Sequence, residues 1–88
     1  MYTLKLEKMN SKKKPFCSIY LVFLNKKKQG SVDVYRRLGS TYYRAFIVTD
    51  TKILSAEYNT LQDAVSHVLW SNGMELELAE ELARSTSS

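Results

Sequence analysis

Apolar and polar residues alternate from the start of the chain. Tyr2, Leu4 and Leu6 interleave with Thr3, Lys5 and Glu7, the period of a half-buried strand. The stretch 10–15, NSKKKP, breaks this run with a turn-forming asparagine, three lysines and the only proline. Residues 16–24, FCSIYLVFL, are apolar at both parities and predict a central strand covered on both sides for part of its length. A loop is expected over 25–30, NKKKQG. Residues 31–38 and 42–49 then read as a hairpin about Gly39-Ser40. A tight turn at Asp50-Thr51 leads into a short fifth strand over 52–58.

Beyond residue 58 the period changes. Leu61, Ala64, Val65, Val68 and Leu69 make a helical apolar stripe. Thr60 with Asp63 resembles a capping box, although Asn59 with Gln62 fits nearly as well, and Asn72-Gly73 is the stop signal. A second helix is expected over 74–83, with Met74, Leu78 and Leu82 on one line and Glu75, Glu77, Glu80 and Glu81 largely away from it. The remainder, RSTSS at 84–88, reads as a disordered polar tail. The pattern predicts an α+β fold in a single domain over 1–83. An antiparallel four- to five-stranded meander is packed by one C-terminal helix, followed by a short second acidic helix.

Composition narrows the setting. Eighty-eight residues with 44% hydrophobic and 25% charged content make one small globular domain. A single cysteine, Cys17, excludes an internal disulfide framework and a cysteine zinc cluster. It falls in the most apolar strand and is expected to be an inert core thiol. The opening MYTLKLEK has no continuous apolar segment of the signal-peptide kind, and the longest apolar run, 19–24, is too short to cross a bilayer. A reducing, cytoplasmic setting without membrane attachment is expected.

Charge adds a direction. The formal net charge is +4, with twelve Lys/Arg and three Asp/Glu in residues 1–52 but one and six in residues 53–88. Such polarity points to a polyanion-facing N-terminal part and an acidic C-terminal part. A Gly39-Ser40 turn would set Val34 opposite Ala45 and Val32 opposite Ile47 on the side facing the helix. Arg36 and Tyr43 would lie at the edge of that side. The other side would pair Tyr35 with Arg44 and Arg37 with Tyr42, with Asp33 near Phe46. Two aromatic rings and two guanidinium groups would then share one open face. Rings stack on bases and arginine binds phosphate, which suits single-stranded nucleic acid. The same cross-strand Tyr–Arg pairs also stabilise sheets that bind nothing.

Two lysine triplets flank this face. Lys12, Lys13 and Lys14 precede the 16–24 strand and Lys26, Lys27 and Lys28 follow it, so roughly 30 Å of extended chain separates them. They fit an extended backbone gripped at two points, and equally the solubilising loops of a small protein. Catalytic constellations are missing from the sequence. His67, the only histidine, falls on the polar side of the first helix, no His/Cys/Asp spacing fits a metal, and three glycines make no phosphate loop. Trp70, at the end of the helix stripe, reads as a core edge, with an interface anchor as the lesser alternative. A non-enzymatic protein without a cofactor is expected.

The segment 42–68, YYRAFIVTDTKILSAEYNTLQDAVSHV, resembles the sheet-and-helix core of AP2-like and integrase arm-binding DNA domains. The matching residues are Tyr43, Arg44, Ala45, Ile47, Tyr58, Thr60, Asp63 and Ala64, about a third of the chain lying in the matched segment. Where those domains carry Leu-Gly before the closing aromatic, this chain has Ser55-Ala56-Glu57, and its two N-terminal strands are additional. The resemblance implies a sheet that enters the DNA major groove, with base or phosphate contacts from Arg37, Tyr42 and Arg44. A strand-turn-strand-helix ending YNTLQDAV is also similar to HicB-type antitoxin domains, which neutralise an RNA-cleaving toxin.

The first expectation is therefore a small basic protein that binds RNA or DNA, with RNA or single-stranded DNA slightly favoured. Its contacts would be Tyr35, Arg37, Tyr42 and Arg44, assisted by Lys12, Lys13, Lys14, Lys26, Lys27 and Lys28. The alternative is a phage or mobile-element protein acting as an antitoxin-like inhibitor of a protein target, an RNA-processing enzyme among the candidates, met by the acidic C-terminal helix. A homodimer sealed by the second helix or by edge strands is a third.

Overall fold

The computed structural model describes residues 2–10, 16–48 and 53–86, in which five strands form one antiparallel meander and two helices follow. The strands are β1 (Leu4–Asn10), β2 (Phe16–Leu24), β3 (Lys27–Arg37), β4 (Ser40–Val48) and β5 (Ile53–Tyr58); the helices are α1 (Leu61–Ser71) and α2 (Leu76–Thr86). Strand order in the sheet follows chain order, as the short connections require. The expected Asp50-Thr51 turn, the Lys12–14 run and the Cys17 side chain lie outside what is described.

The two described helices cover one side of the sheet. Val22, Val32, Ala45 and Ile47 form the buried core with Ala64, Val65, Val68 and Leu69 of α1 and with Ala79 and Ala83 of α2. Leu4, Leu6, Tyr20, Leu24 and Tyr43 extend it across four strands. Alternation therefore places Ile19, Leu21 and Phe23 of β2 on the opposite side, where they are half-buried and no described helix lies over them. The expectation that β2 is covered on both sides is corrected: its double apolar parity reflects a helix-packed face and an open one.

The hairpin turns also differ from the expected ones. The 25–30 segment is mostly strand, and the turn is Asn25-Lys26, with φ of 51° and 70°. Asn25 accepts from the Thr3 amide through Oδ1 and donates its own amide to Thr3 O, each at 2.8 Å, which ties this turn to the start of the chain. An irregularity between Val22 and Phe23 in the β2–β3 register follows, with Gln29 as the extra residue of β3. The Gln29 carbonyl accepts from Asn72 Nδ2 at 3.0 Å, so the end of α1 satisfies a group near the irregularity.

The β3–β4 turn is Leu38-Gly39, not Gly39-Ser40. Both central residues have positive φ, 53° and 81°, the pair that a tight hairpin turn of matching twist requires. Gly39 adopts this freely, while Leu38 tolerates it at the fully exposed tip. Partners consequently move by two residues, which keeps every side chain on its face: Val34 meets Tyr43, Val32 meets Ala45, Tyr35 meets Tyr42 and Asp33 meets Arg44. Both registers bury the same residues, so burial did not choose between them. Setting Asp33 opposite Arg44 rather than Phe46 puts unlike charges across the ladder, which favours the observed one.

Helix ends follow the sequence signals. Thr60 is the N-cap of α1, and its Oγ1 accepts from the Asp63 amide at 3.2 Å. At the other end Gly73 (φ 101°) donates to Trp70 O and Met74 donates to Leu69 O, a Schellman closure in which Met74 and Leu69 both join the core. The second helix is packed rather than peripheral. Ala79 and Ala83, one turn apart, are buried in the core cluster, and their small side chains let the two helices approach closely. It also runs on through Thr86, so Arg84 and Ser85, expected in a disordered tail, are helical. Arg84 near its C-terminus and Glu77 in its first turn both suit the helix dipole. No described helix is long and apolar enough to cross a membrane.

Candidate nucleic-acid interface

Side chains on the open side are set out in rows by the strand register. One row runs Met9, Ile19, Asp33, Arg44, Glu57, and the next runs Glu7, Leu21, Ser31, Phe46, Ser55. Tyr35 opposite Tyr42 makes a third. The register brings Tyr35, Arg37, Tyr42 and Arg44 together, but with the cations on diagonals. The two rings stack at 5.7 Å and 29°, with the Arg44 guanidinium 5.2 Å from the Tyr35 ring and that of Arg37 5.0 Å from the Tyr42 ring. Each contact is of cation–π type, worth about 0.5–1 kcal/mol where exposed.

The four residues are unequally presented. Tyr35 is only 4% exposed, so its ring, stacked on its cross-strand partner Tyr42, offers little surface of its own. Tyr42, Arg44 and Phe46 are half-buried, and Arg37 is exposed. The sequence reading missed Glu57, whose carboxylate lies 3.4 Å from Arg37 and 3.8 Å from Arg44. Glu57 sits on β5, and only the β4–β5 register, which sets it opposite Arg44, could have revealed it. Asp33 adds a second acid opposite Arg44. Burial pushes its carboxyl above the ordinary carboxylate range, and Arg44 partly pulls it back. Two cations and two acids thus make this patch nearly neutral. Exposed ion pairs of this kind contribute at most about 1 kcal/mol each, so both arginines can exchange Glu57 for another anion at little cost.

Among the described residues, positive charge without an ion-pair partner comes from the β2–β3 hairpin. Lys26 sits at the turn, and Lys27 and Lys28 are exposed at the start of β3. Next to them is a shallow open depression of about 430 Å³ lined by Lys28, Gln29, Gly30, Ser31 and Phe46. Phe46 joins this depression to the Tyr42–Arg44 patch, two positions along the same strand. The sequence reading named Phe46 only as a neighbour of Asp33. Lys12, Lys13 and Lys14 are outside the described residues. Among the described residues, no three His, Cys, Asp or Glu side chains gather as metal ligands.

His67 departs from its expected place on a solvated helix face. It is half-buried, with Nδ1 2.8 Å from the Tyr58 hydroxyl. Burial lowers the His67 pKa, while burial and the Asp63 carboxylate raise that of Tyr58. Both shifts favour neutral partners, an arrangement in which the phenol donates and Nδ1 accepts.

Fold and open face together define a five-stranded antiparallel-sheet protein with two C-terminal helices on one side only. Compared with known protein families, with curated proteins and with solved structures, the chain matches none.

Proposed function

We propose that this chain is a small non-enzymatic nucleic-acid-binding protein of the cytoplasm, and that its ligand is RNA or single-stranded DNA. The observation that carries this reading is the continuity of one helix-free sheet face from Lys28 through the depression at Phe46 to Tyr42, Arg44 and Arg37. Phe46 and Tyr42 offer stacking surfaces four residues, or roughly 13 Å, apart along the strand. That spacing suits two non-adjacent bases of an extended unpaired strand, each worth about 1–3 kcal/mol when stacked. Lys26, Lys27 and Lys28 meet the backbone at one end, and the arginines turn from Glu57 to phosphate at the other. Single strands are favoured over duplex because the aromatic side chains lie within a broad sheet face and not on a ridge that could enter a groove.

Fluorescence anisotropy with labelled oligonucleotides across a salt series tests the proposal. Binding should weaken steeply with salt, and Arg37→Ala combined with Arg44→Ala should reduce affinity by about tenfold or more. Glu57→Gln should act in the opposite direction and tighten binding several-fold, about 0.5–1 kcal/mol, because it releases both arginines. Affinity that ignores all three substitutions would remove the sheet face from consideration.

The antitoxin-like alternative keeps one observation in its favour, a groove on the helical side of the molecule that is acidic and aromatic.

A further inference from the structure

On the helix-covered side, away from the sheet face, a groove of about 240 Å³ lies between β5, α1 and α2 and is lined by Tyr58, Asp63, Ser66, His67, Trp70, Leu76 and Glu80. Asp63, His67 and Trp70 stand at positions i, i+4 and i+7 of α1, one stripe of that helix. Leu76 and Glu80, four apart on α2, form the facing wall. Tyr58, His67 and Trp70 make a continuous aromatic run, with centroid separations of 5.5 and 5.9 Å. Trp70 is 51% exposed and Leu76 49%, a large apolar surface that the rest of the chain does not use.

We propose that this groove binds an arginine side chain from an exposed basic segment of a partner protein, stacked on Trp70 and neutralised by Asp63 and Glu80. Charge complementarity selects this occupant. Two carboxylates share the groove with three aromatic rings, and burial lowers the pKa of the imidazole, which disfavours a positive charge within the groove. A planar guanidinium matches this combination better than a lysine ammonium, because it can lie flat on indole while donating to carboxylates at its edge. The groove's remaining polar groups are the Tyr58 hydroxyl, engaged with His67, and the Ser66 hydroxyl, which donates to Gln62 O and Asp63 O at 3.0 Å. Neither adds charge. Arg84 borders an adjoining depression that Asp63 and Glu80 also line, so it competes in part for the same carboxylates. The site is independent of the sheet face and of whether that face binds nucleic acid.

The chain has a single tryptophan, and Trp70 emission therefore reports on this groove alone. The full chain is titrated with a capped Gly-Arg-Gly-Arg-Gly peptide and, in parallel, with its citrulline counterpart, the uncharged isostere. A saturable change in Trp70 emission is expected with the arginine peptide, and binding about tenfold weaker with citrulline. Asp63→Asn and Glu80→Gln should each weaken the arginine peptide by about three- to tenfold, and Arg84→Gln should tighten it. Glu77→Gln, on the same helix but outside the groove, should change it less than about twofold. Far-UV circular dichroism of each variant separates loss of binding from loss of fold. The proposal is overturned by a missing saturable response, by an equal response to citrulline, or by Glu77→Gln weakening binding as much as Glu80→Gln.

Discussion

Replacing Leu69 with alanine is expected to remove about 2–5 kcal/mol of folding stability, the largest single-site effect in the domain. Leu69 is 1% exposed and is the largest of the fully buried side chains among the described residues. It sits where α1, the sheet and Met74 at the start of the second helix meet, and its carbonyl accepts the Met74 amide that closes α1. Truncation opens a cavity at that junction, and the paired strands and capped helix around it limit collapse. A domain of this size typically has a stability of roughly 4–13 kcal/mol, so the loss is a large fraction of the whole. Thermal and urea unfolding followed by circular dichroism should show the midpoint falling by roughly 10–25 °C. Leu38→Ala, at the exposed turn, should move stability by less than about 0.5 kcal/mol. Equal effects at the two sites would contradict the core described above.

Gly30→Ala should also destabilise, by about 1–3 kcal/mol, although the position lies in a strand where alanine is ordinarily the better residue. A Cβ at Gly30 would lie 2.6 Å from the Phe46 carbonyl oxygen, 3.1 Å from Val68 Cγ1 and 3.4 Å from Ile47 Cγ1. Side chains can give way; the carbonyl belongs to the neighbouring strand and moves only with β4. Alanine gains about 0.4–1 kcal/mol by restricting the unfolded chain, which is smaller than the clash. Adding Val68→Ala to Gly30→Ala relieves the side-chain contact and leaves the carbonyl contact in place, so it should not restore stability. Because Phe46 and Gly30 also line the depression on the open face, Gly30→Ala should weaken oligonucleotide binding as well. A stable variant with unaltered binding would show that β3 and β4 are not held this tightly.

How far the sequence determined these features depends on the kind of constraint involved. Local patterns were legible. Period-two alternation marks β1, a continuous apolar run marks β2, Thr60 and Asp63 mark the start of α1, and Asn72-Gly73 marks its end. Face assignment in the β3–β4 hairpin survived an error in the turn, because a shift of both partners preserves parity. Tertiary pairing was not legible. Nothing local distinguishes Leu38-Gly39 from Gly39-Ser40, and the preference comes from Asp33 meeting Arg44 across the ladder. Glu57 is the exception, since a two-residue turn at the expected Asp50-Thr51 sets it opposite Arg44, the register that β4 and β5 adopt. Ala79 and Ala83 bury their side of α2 although Leu78 and Leu82 are larger, since helix–helix approach depends on small residues at the contact. His67 looked solvated because helical periodicity alone does not include Tyr58 of β5.

The sheet face is the centre of the functional proposal, and backbone amide NMR tests it residue by residue. Isotope-labelled chain is titrated with unlabelled oligouridylate and oligothymidylate at low salt. The proposed interface predicts saturable shifts concentrated at Lys28, Ser31, Tyr42, Arg44 and Phe46, with α1 and α2 largely unmoved. Shifts confined to the helices, or none at either oligonucleotide, would contradict it.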